Sequence, residues 1–130
     1  MAEDLRESLL RRWFDAGWNG NDPTIIPEIF TEDYLAEGGA QKTFGNIEGH
    51  EGLREYHTTF HKAVNNLNFN IITLHVCGDI VMVEYRITGV FRQPVKGHEE
   101  PGERLDITAV DVYRFNGDKI AARMVAYEQA

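Results

Sequence analysis

Cysteine is almost absent from this chain, and so are long apolar runs. The single Cys77 excludes an intramolecular disulfide and favours a reducing compartment. No apolar run approaches the roughly 20 residues that a membrane-spanning helix needs. The N-terminus carries Glu3, Asp4 and Glu7 and lacks the basic start and apolar middle of a secretion signal. We therefore expect a soluble cytoplasmic protein.

Basic residues are scarce as well. Lys and Arg total 13 against 21 for Asp and Glu, which gives a net charge of −8. This balance argues against a nucleic-acid backbone or an anionic membrane as a partner. The chain has only four prolines and no Pro/Ser-rich linker, internal repeat or low-complexity tract. With 42% hydrophobic residues over 130 positions, it is predicted to fold as one domain, residues 1–130, around one core.

The first half of the chain has helical periodicity. Apolar residues recur at helical spacing over 3–18, and Asp22-Pro23 is typical of a cap followed by a first helical position. Pro27 predicts two short turns or a kink in the second helix. A third helix is predicted over 52–65. The glycine-rich segment 38–49 is predicted to be a loop that covers or lines a cavity.

The second half alternates with the period of β-strands. Strands are predicted over 67–76, 80–92, 105–115 and 119–128, with turns at Gly78-Asp79 and Asn116-Gly117. Helices followed by strands indicate an α+β domain. The four strands can form an antiparallel meander whose one face is covered by the helices.

The strand 105–115 carries the residue on which the functional hypothesis rests. Alternation places Asp111 on a face that is otherwise apolar except for the hydroxyl of Tyr113. A carboxylate there is costly unless it is paired, hydrogen-bonded or neutral, and a carboxyl with a raised pKa is suited to proton transfer. Asp106 lies on the opposite row, and a β-bulge between the two positions would reverse this assignment.

Other side chains are candidates for the wall of a pocket. His57 and His61 lie four residues apart on a helix and could offer two metal ligands, but no third ligand is evident, so no metal is predicted. His57 is instead a polar group of the pocket wall or a core histidine. The predicted pocket residues are Trp13, Phe14, Tyr34, Tyr56, His57, Phe60, Tyr85, Phe91 and Tyr113.

Five segments, in this order and spacing, carry a resemblance to a known family. They are 18–22 (WNGND), 28–34 (EIFTEDY), 49–54 (GHEGLR), 77–83 (CGDIVMV) and 110–120 (VDVYRFNGDKI). The chain resembles the SnoaL-like polyketide cyclases of the nuclear-transport-factor-2-like, or cystatin-like, superfamily.

The resemblance implies a strongly curved antiparallel sheet, mixed at its edge, with three N-terminal helices closing a cone-shaped apolar pocket. It implies that Asp111 is the acid/base of an intramolecular aldol ring closure in a small, apolar, polyketide-like molecule. No metal or organic cofactor is implied. Many relatives form homodimers through the outer face of the sheet.

The chain also departs from its relatives. Family cyclases tend to place a His near the position of Phe91 and another shortly after Tyr34, where this chain has Glu37. Ketosteroid isomerases pair a protonated Asp with a Tyr, and here the first helix has no Tyr. Limonene-epoxide hydrolases need an Asp-Arg-Asp set, and Val125 lies near the predicted place of the second Asp.

A non-enzymatic alternative therefore stays open. The same fold could bind a small ligand without turnover or serve as a dimeric association domain. Its contact surface would be the polar and apolar row on the outer face of the sheet: Met82, Glu84, Arg86, Thr108, Val110, Val112 and Arg114.

Overall fold

The computed structural model describes residues 2–36, 46–95 and 99–129. The helical part comprises α1 (Ala2–Arg12), a π-helical continuation (Trp13–Asn19), a 3₁₀ turn (Pro23–Ile25), α2 (Ile26–Ile29) and α3 (Gly49–Ala63). The strands are β1 (Phe30–Ala36), β2 (Ile47–Glu48), β3 (Val64–Cys77), β4 (Ile80–Phe91), β5 (Arg104–Asn116) and β6 (Lys119–Gln129).

The six strands form one sheet in the order β2-β1-β6-β5-β4-β3. The consecutive strands β3, β4, β5 and β6 pair antiparallel with one another, as predicted for the meander. β1 runs parallel to β6, so the sheet is mixed at this edge. Three N-terminal helices and a curved, unclosed mixed sheet confirm the predicted α+β fold.

The predicted helices and strands are present, with boundaries that shift by up to three residues. The segment does form two short turns that meet between Ile25 and Ile26, with Pro27 in the first turn of α2, where a missing amide hydrogen is tolerated. The Asp22 side chain accepts a hydrogen bond from the amide of Thr24 at the start of the first turn. The short β2 was not predicted, because two residues carry no alternation to detect. Residues 38–45 of the predicted loop lie outside the described residues.

The first helix changes character at Trp13, where its turns widen to π-helical geometry. Gly17 lies within this segment, and a Cβ there would be 2.2 Å from Cε3 of Trp13. Only glycine therefore lets the Trp13 ring lie flat against the helix backbone. The result is an aromatic layer between the helix and the sheet, in which Trp18 stacks on Phe69 with ring centroids 4.5 Å apart.

The core lies between the helices and the inner face of the sheet, in two clusters. The larger joins the first helix and α2 to the central strands, and the smaller comprises Ala63, Val64, Phe91 and Leu105. None of the helices among the described residues combines the length and apolar character that a bilayer crossing requires.

Candidate functional site

The register between β4 and β5 places Asp111 inside. The pairing runs without a shift from Ile80 opposite Arg114 to Val90 opposite Arg104. Because no bulge interrupts β5 against β4, the predicted alternation holds over the whole strand. Asp111 is 1% exposed, whereas Asp106 lies on the outer face.

Two phenols hold one oxygen of the Asp111 carboxyl. The hydroxyls of Tyr85 and Tyr113 each donate a hydrogen bond to Oδ2 at 3.0 Å. Tyr113 is two residues along the same strand, and Tyr85 comes from the neighbouring strand β4. The Tyr85 ring is itself fixed by edge contact with Phe14, at 5.1 Å between centroids, and by stacking on Phe69. The carboxyl group is therefore oriented by groups that cannot readily move.

Arg123 supplies the positive charge of the site, and the sequence analysis missed it. Its Nη1 lies 3.9 Å from Asp111 Oδ2, and its side chain is 13% exposed. On β6, Ala121 and Ala126 each have no opposite residue on β5, so the strand carries two bulges. The bulge at Ala121 shifts the parity of the following residues, which turns Arg123 inward and leaves Met124 45% exposed on the outer face.

Burial and the neighbouring groups act on Asp111 in opposite directions. Desolvation raises the pKa of the Asp111 carboxyl, while the positive charge of Arg123 and the hydrogen bonds from Tyr85 and Tyr113 lower it; the net shift is upward. Burial, with the nearby Asp111 charge, also raises the pKa of Tyr85 and Tyr113 well above the ordinary range. Both phenols are therefore neutral donors at physiological pH.

The site contains two buried polar atoms without a partner among the described residues. Asp111 Oδ1 accepts no hydrogen bond, and Arg123 Nε donates none. An acceptor and a donor left open on neighbouring side chains are unusual, because nearly all buried polar groups in proteins are satisfied. We call Asp111, Arg123, Tyr85 and Tyr113 the Asp111 cluster.

Two further tyrosines stand beside this cluster. The Cζ of Arg123 is 5.6 Å from the ring centroid of Tyr56, a cation–π arrangement. Tyr34 is 2% exposed and packs edge-on against Phe30. Burial raises the pKa of both phenols, and the charges of Arg123 and Asp111 act on each. Both predicted pocket tyrosines therefore lie within electrostatic range of Asp111.

The amino-acid sequence that forms this site matches a known domain family. A family model for the SnoaL-like domain matches residues 10–123. The chain belongs to the SnoaL-like domain family. No curated protein matches its sequence significantly.

Solved structures share the SnoaL-like fold at low sequence identity. A protein from Jannaschia sp. CCS1, provisionally described as a SnoaL-like polyketide cyclase, has a TM-score of 0.82 and 20% identity over 98% of this chain and 87% of its own. One from Acidithiobacillus ferrooxidans, provisionally described as a polyketide cyclase, has a TM-score of 0.82 and 17% identity over 96% and 88%. A protein from Catenulispora acidiphila with a ketosteroid isomerase-like fold, solved with trimethylamine, has a TM-score of 0.73 and 18% identity over 92% and 84%.

His57, a predicted pocket residue of this SnoaL-like chain, binds to the backbone of the first helix. Its Nε2 lies 2.6 Å from the carbonyl oxygen of Gly17, and its ring packs between those of Trp13 and Trp18. Burial lowers the pKa of His57, opposed by the bond to Gly17. A neutral imidazole that donates from Nε2 fits this position, which is that of a structural histidine.

The remaining predicted pocket residues divide between the two core clusters. Trp13 and Phe14 are buried in the larger cluster, and Phe60 is partly buried against both. Phe91 lies in the smaller cluster, together with Leu105 at the other end of β5, and the structure does not bring it to Asp111. In the described residues, no group of three or more His, Cys, Asp or Glu side chains is arranged to hold a metal ion.

Proposed function

We propose that this SnoaL-like protein is a cofactor-independent cyclase or isomerase in which Asp111 is the acid/base. The observation that carries the proposal is a carboxyl that is 1% exposed, has a raised pKa, and is held at Oδ2 while Oδ1 stays open. A base needs an accessible lone pair and a pKa raised toward the operating pH. The substrate is a small, apolar, cyclic or polyketide-like molecule.

The reaction moves one proton and one electron pair. Asp111 removes a proton from a carbon next to a carbonyl group, and the C–H electron pair becomes the enolate. In a ring closure, the enolate carbon then forms a bond to a second carbonyl carbon of the same molecule. The oxygen of that carbonyl takes the proton back from Asp111. In an isomerisation, the proton returns to another carbon of the enolate instead.

The walls around Asp111 support a flat, unsaturated substrate. Tyr34, Tyr56, Tyr85 and Tyr113 present aromatic rings with few polar atoms, and a substrate carbon near Oδ1 would lie among them. The names of two structural relatives include polyketide cyclase. An enclosed apolar cavity above Asp111 is part of this proposal.

Proton exchange tests the role of Asp111 without knowledge of the natural substrate. A panel of aryl ketones and linear diketones, beginning with α-tetralone, is incubated in deuterated water, and exchange at the α carbon is followed by NMR. Asp111→Asn is expected to lower the exchange rate on the order of a hundredfold or more, because general base catalysis contributes about 10² to 10⁴.

The matched control is Asp106→Asn, on the outer face of the same strand, which is expected to exchange at the wild-type rate. Circular dichroism and thermal unfolding show whether each variant is folded. Wild-type exchange by a folded Asp111→Asn protein would remove Asp111 from the chemistry.

A second function, association through the outer face of the sheet, is favoured by a separate observation. Met82, Val112 and Met124 lie side by side across β4, β5 and β6, and Tyr127 follows on β6. Met82, Met124 and Tyr127 are about half exposed, and a groove lined by Arg86, Asp106, Thr108 and Gln129 adjoins them. Exposed apolar residues rimmed by polar ones are typical of protein interfaces.

The occupant we propose is a second copy of this chain, which gives a homodimer. Sedimentation at micromolar concentration is expected to show a dimer, and Met124→Glu is expected to shift it to monomer by placing a charge in the contact. A wild-type monomer under these conditions rules the dimer out. A cytoplasmic location stays a prediction of the sequence.

A further inference from the structure

Arg123 is not used by a mechanism that needs only a base, although it is largely buried and faces Asp111. Its Nη1 is 3.9 Å from Oδ2, longer than the roughly 2.7–2.9 Å of a charge-assisted hydrogen bond. A structural ion pair in a core has to close this distance to offset the desolvation of both charges. The observed spacing leaves the pair incomplete.

The open atoms of the two side chains are chemically complementary. Asp111 Oδ1 can receive a proton, and Arg123 Nε can donate a hydrogen bond, yet neither has a partner within the part of the chain that the structure describes. Arg123 on β6 lies opposite Tyr113 on β5, and Tyr113 is two residues from Asp111 along that strand. The guanidinium group of Arg123 and the carboxyl group of Asp111 therefore face the same interior space. A ligand that completes both atoms must offer an acceptor oxygen next to an acidic hydrogen.

We propose that Arg123 is the oxyanion-binding residue of the site, and that the substrate class is a neutral, enolisable carbonyl compound with a conjugated, planar frame. This inference rests on the proposed function and deepens it. The carbonyl oxygen accepts from Arg123, while the α-hydrogen faces Oδ1 of Asp111.

Charge conservation argues for a neutral substrate. Before the reaction, the negative charge on Asp111 balances the positive charge on Arg123. When the α-proton moves to Asp111, the negative charge moves to the enolate oxygen beside Arg123, so the cluster stays neutral and no isolated charge arises in a buried site. A substrate with its own carboxylate would place two negative charges against one positive charge.

The aromatic surroundings match a delocalised enolate. Arg123 already lies over the ring of Tyr56, and Tyr85 and Tyr113 hold Asp111 in place while its free oxygen acts. Planar conjugated molecules pack well between such rings. A saturated alcohol or a sugar has no planar conjugated frame to pack against the tyrosine rings and no carbonyl oxygen to accept a hydrogen bond from Arg123.

Binding of para-nitrophenolate tests the role of Arg123 without turnover. This anion resembles an enolate, and its visible absorbance reports both binding and ionisation. It should bind best when Asp111 carries no charge. Asp111→Asn is therefore expected to bind it about tenfold or more tightly than the wild type at neutral pH. Adding Arg123→Met to Asp111→Asn is expected to weaken the affinity for para-nitrophenolate on the order of 10- to 100-fold, the range for a hydrogen bond to a charged group.

The matched control adds Arg86→Met to Asp111→Asn, which removes an arginine from the outer face and is expected to leave affinity unchanged. Arg123→Lys, which keeps the charge, serves if Arg123→Met does not fold, and it should recover part of the affinity. Equal binding by folded Asp111→Asn and its Arg123 double variants overturns the inference, as does absence of binding in all variants.

The two proposals can fail separately. If Asp111→Asn stops α-tetralone exchange but Arg123 does not affect phenolate affinity, Asp111 is the base and the Arg123 assignment is wrong. If phenolate affinity depends on Arg123 but exchange survives Asp111→Asn, the oxyanion site stands and the catalytic role of Asp111 is wrong.

Discussion

Strand β5 carries the aspartates of two Asp–Arg pairs, one on each face of the sheet, and the two pairs differ in completeness. On the outer face, Arg86 binds Asp106 through two hydrogen bonds of 2.8 and 2.7 Å, with both side chains about half exposed. On the inner face, Arg123 stays 3.9 Å from Asp111, with one open atom on each partner. The exposed pair, Arg86 and Asp106, is hydrogen-bonded although water could also bind its atoms. The buried pair, Arg123 and Asp111, has no hydrogen bond between its partners.

This difference separates a structural pair from a functional one. Arg86 and Asp106 satisfy each other, so nothing further is required of that surface, and exposed pairs contribute little to stability. The inner pair has undergone the desolvation of two charges without gaining a hydrogen bond between them, and the bonds that Asp111 accepts come from two phenols instead. Such local cost is characteristic of sites organised for a ligand or transition state.

The largest expected difference between the two pairs is in stability, and it is measured by removing the arginine from each pair in turn. Arg123→Met is expected to lower the free energy of unfolding at pH 7 by about 3 kcal/mol, because Asp111 is left buried without its positive neighbour. The loss should shrink as pH falls and Asp111 becomes protonated. Urea unfolding at several pH values measures both effects.

Arg86→Met is the matched control, since it makes the same chemical change on the exposed face of the neighbouring strand. Only a small shift of its urea midpoint is expected, because exposed ion pairs contribute little to stability. Equal midpoints for the two variants at pH 7 would mean that the inner pair is no more coupled to folding than the outer one.

The sequence carried enough information to predict the fold and the inward position of Asp111. Alternation in β5 is clear, and it survives because β4 and β5 pair without a shift from end to end. The opposite orientations of Asp106 and Asp111 follow directly from that regularity. The helices of the first half and the meander of the second were predictable for the same reason, since each has a strong apolar period.

Arg123 could not be predicted because its orientation depends on an interruption of that period. Regular alternation would group Ile120, Ala122 and Met124 on the buried face and turn Arg123 to solvent. The bulge at Ala121 reverses this order. Apolar Ala122 and Met124 on either side of Arg123 favour the regular order, so the strand's own sequence predicts an exposed Arg123. A bulge is set by the pairing of two strands and is not visible in one of them.

The pH dependence of stability should have opposite signs for the two carboxyls. The pKa of Asp111 is raised by burial, so the native state holds its proton more tightly and the stability contribution of Asp111 falls as pH rises above about 4. The pKa of Asp106 is lowered by its bonds to Arg86, so its contribution is present above about pH 4 and is lost as pH falls below it.

Urea midpoints of the wild type, Asp111→Asn and Asp106→Asn at several pH values measure these two pH dependences. The difference between the wild type and each variant isolates one carboxyl, because Asn does not titrate and the contributions of all other titratable groups cancel. The Asp111 slope can approach about 1.4 kcal/mol per pH unit. Parallel slopes would show that both carboxyls have the same environment in solution, contrary to the structure.

The smallest expected effect comes from one hydroxyl of the inner site. Tyr113→Phe removes one of the two hydrogen bonds to Asp111 Oδ2, which costs about 1 kcal/mol, and it raises the pKa of Asp111 further because that bond favours the charged form. The acidic limb of the α-tetralone exchange profile should therefore move to higher pH. Tyr127→Phe, on the outer face, should leave that limb in place. A limb that moves in neither variant would mean that the titrating group is not Asp111, and the contrast between the two pairs would then concern folding alone.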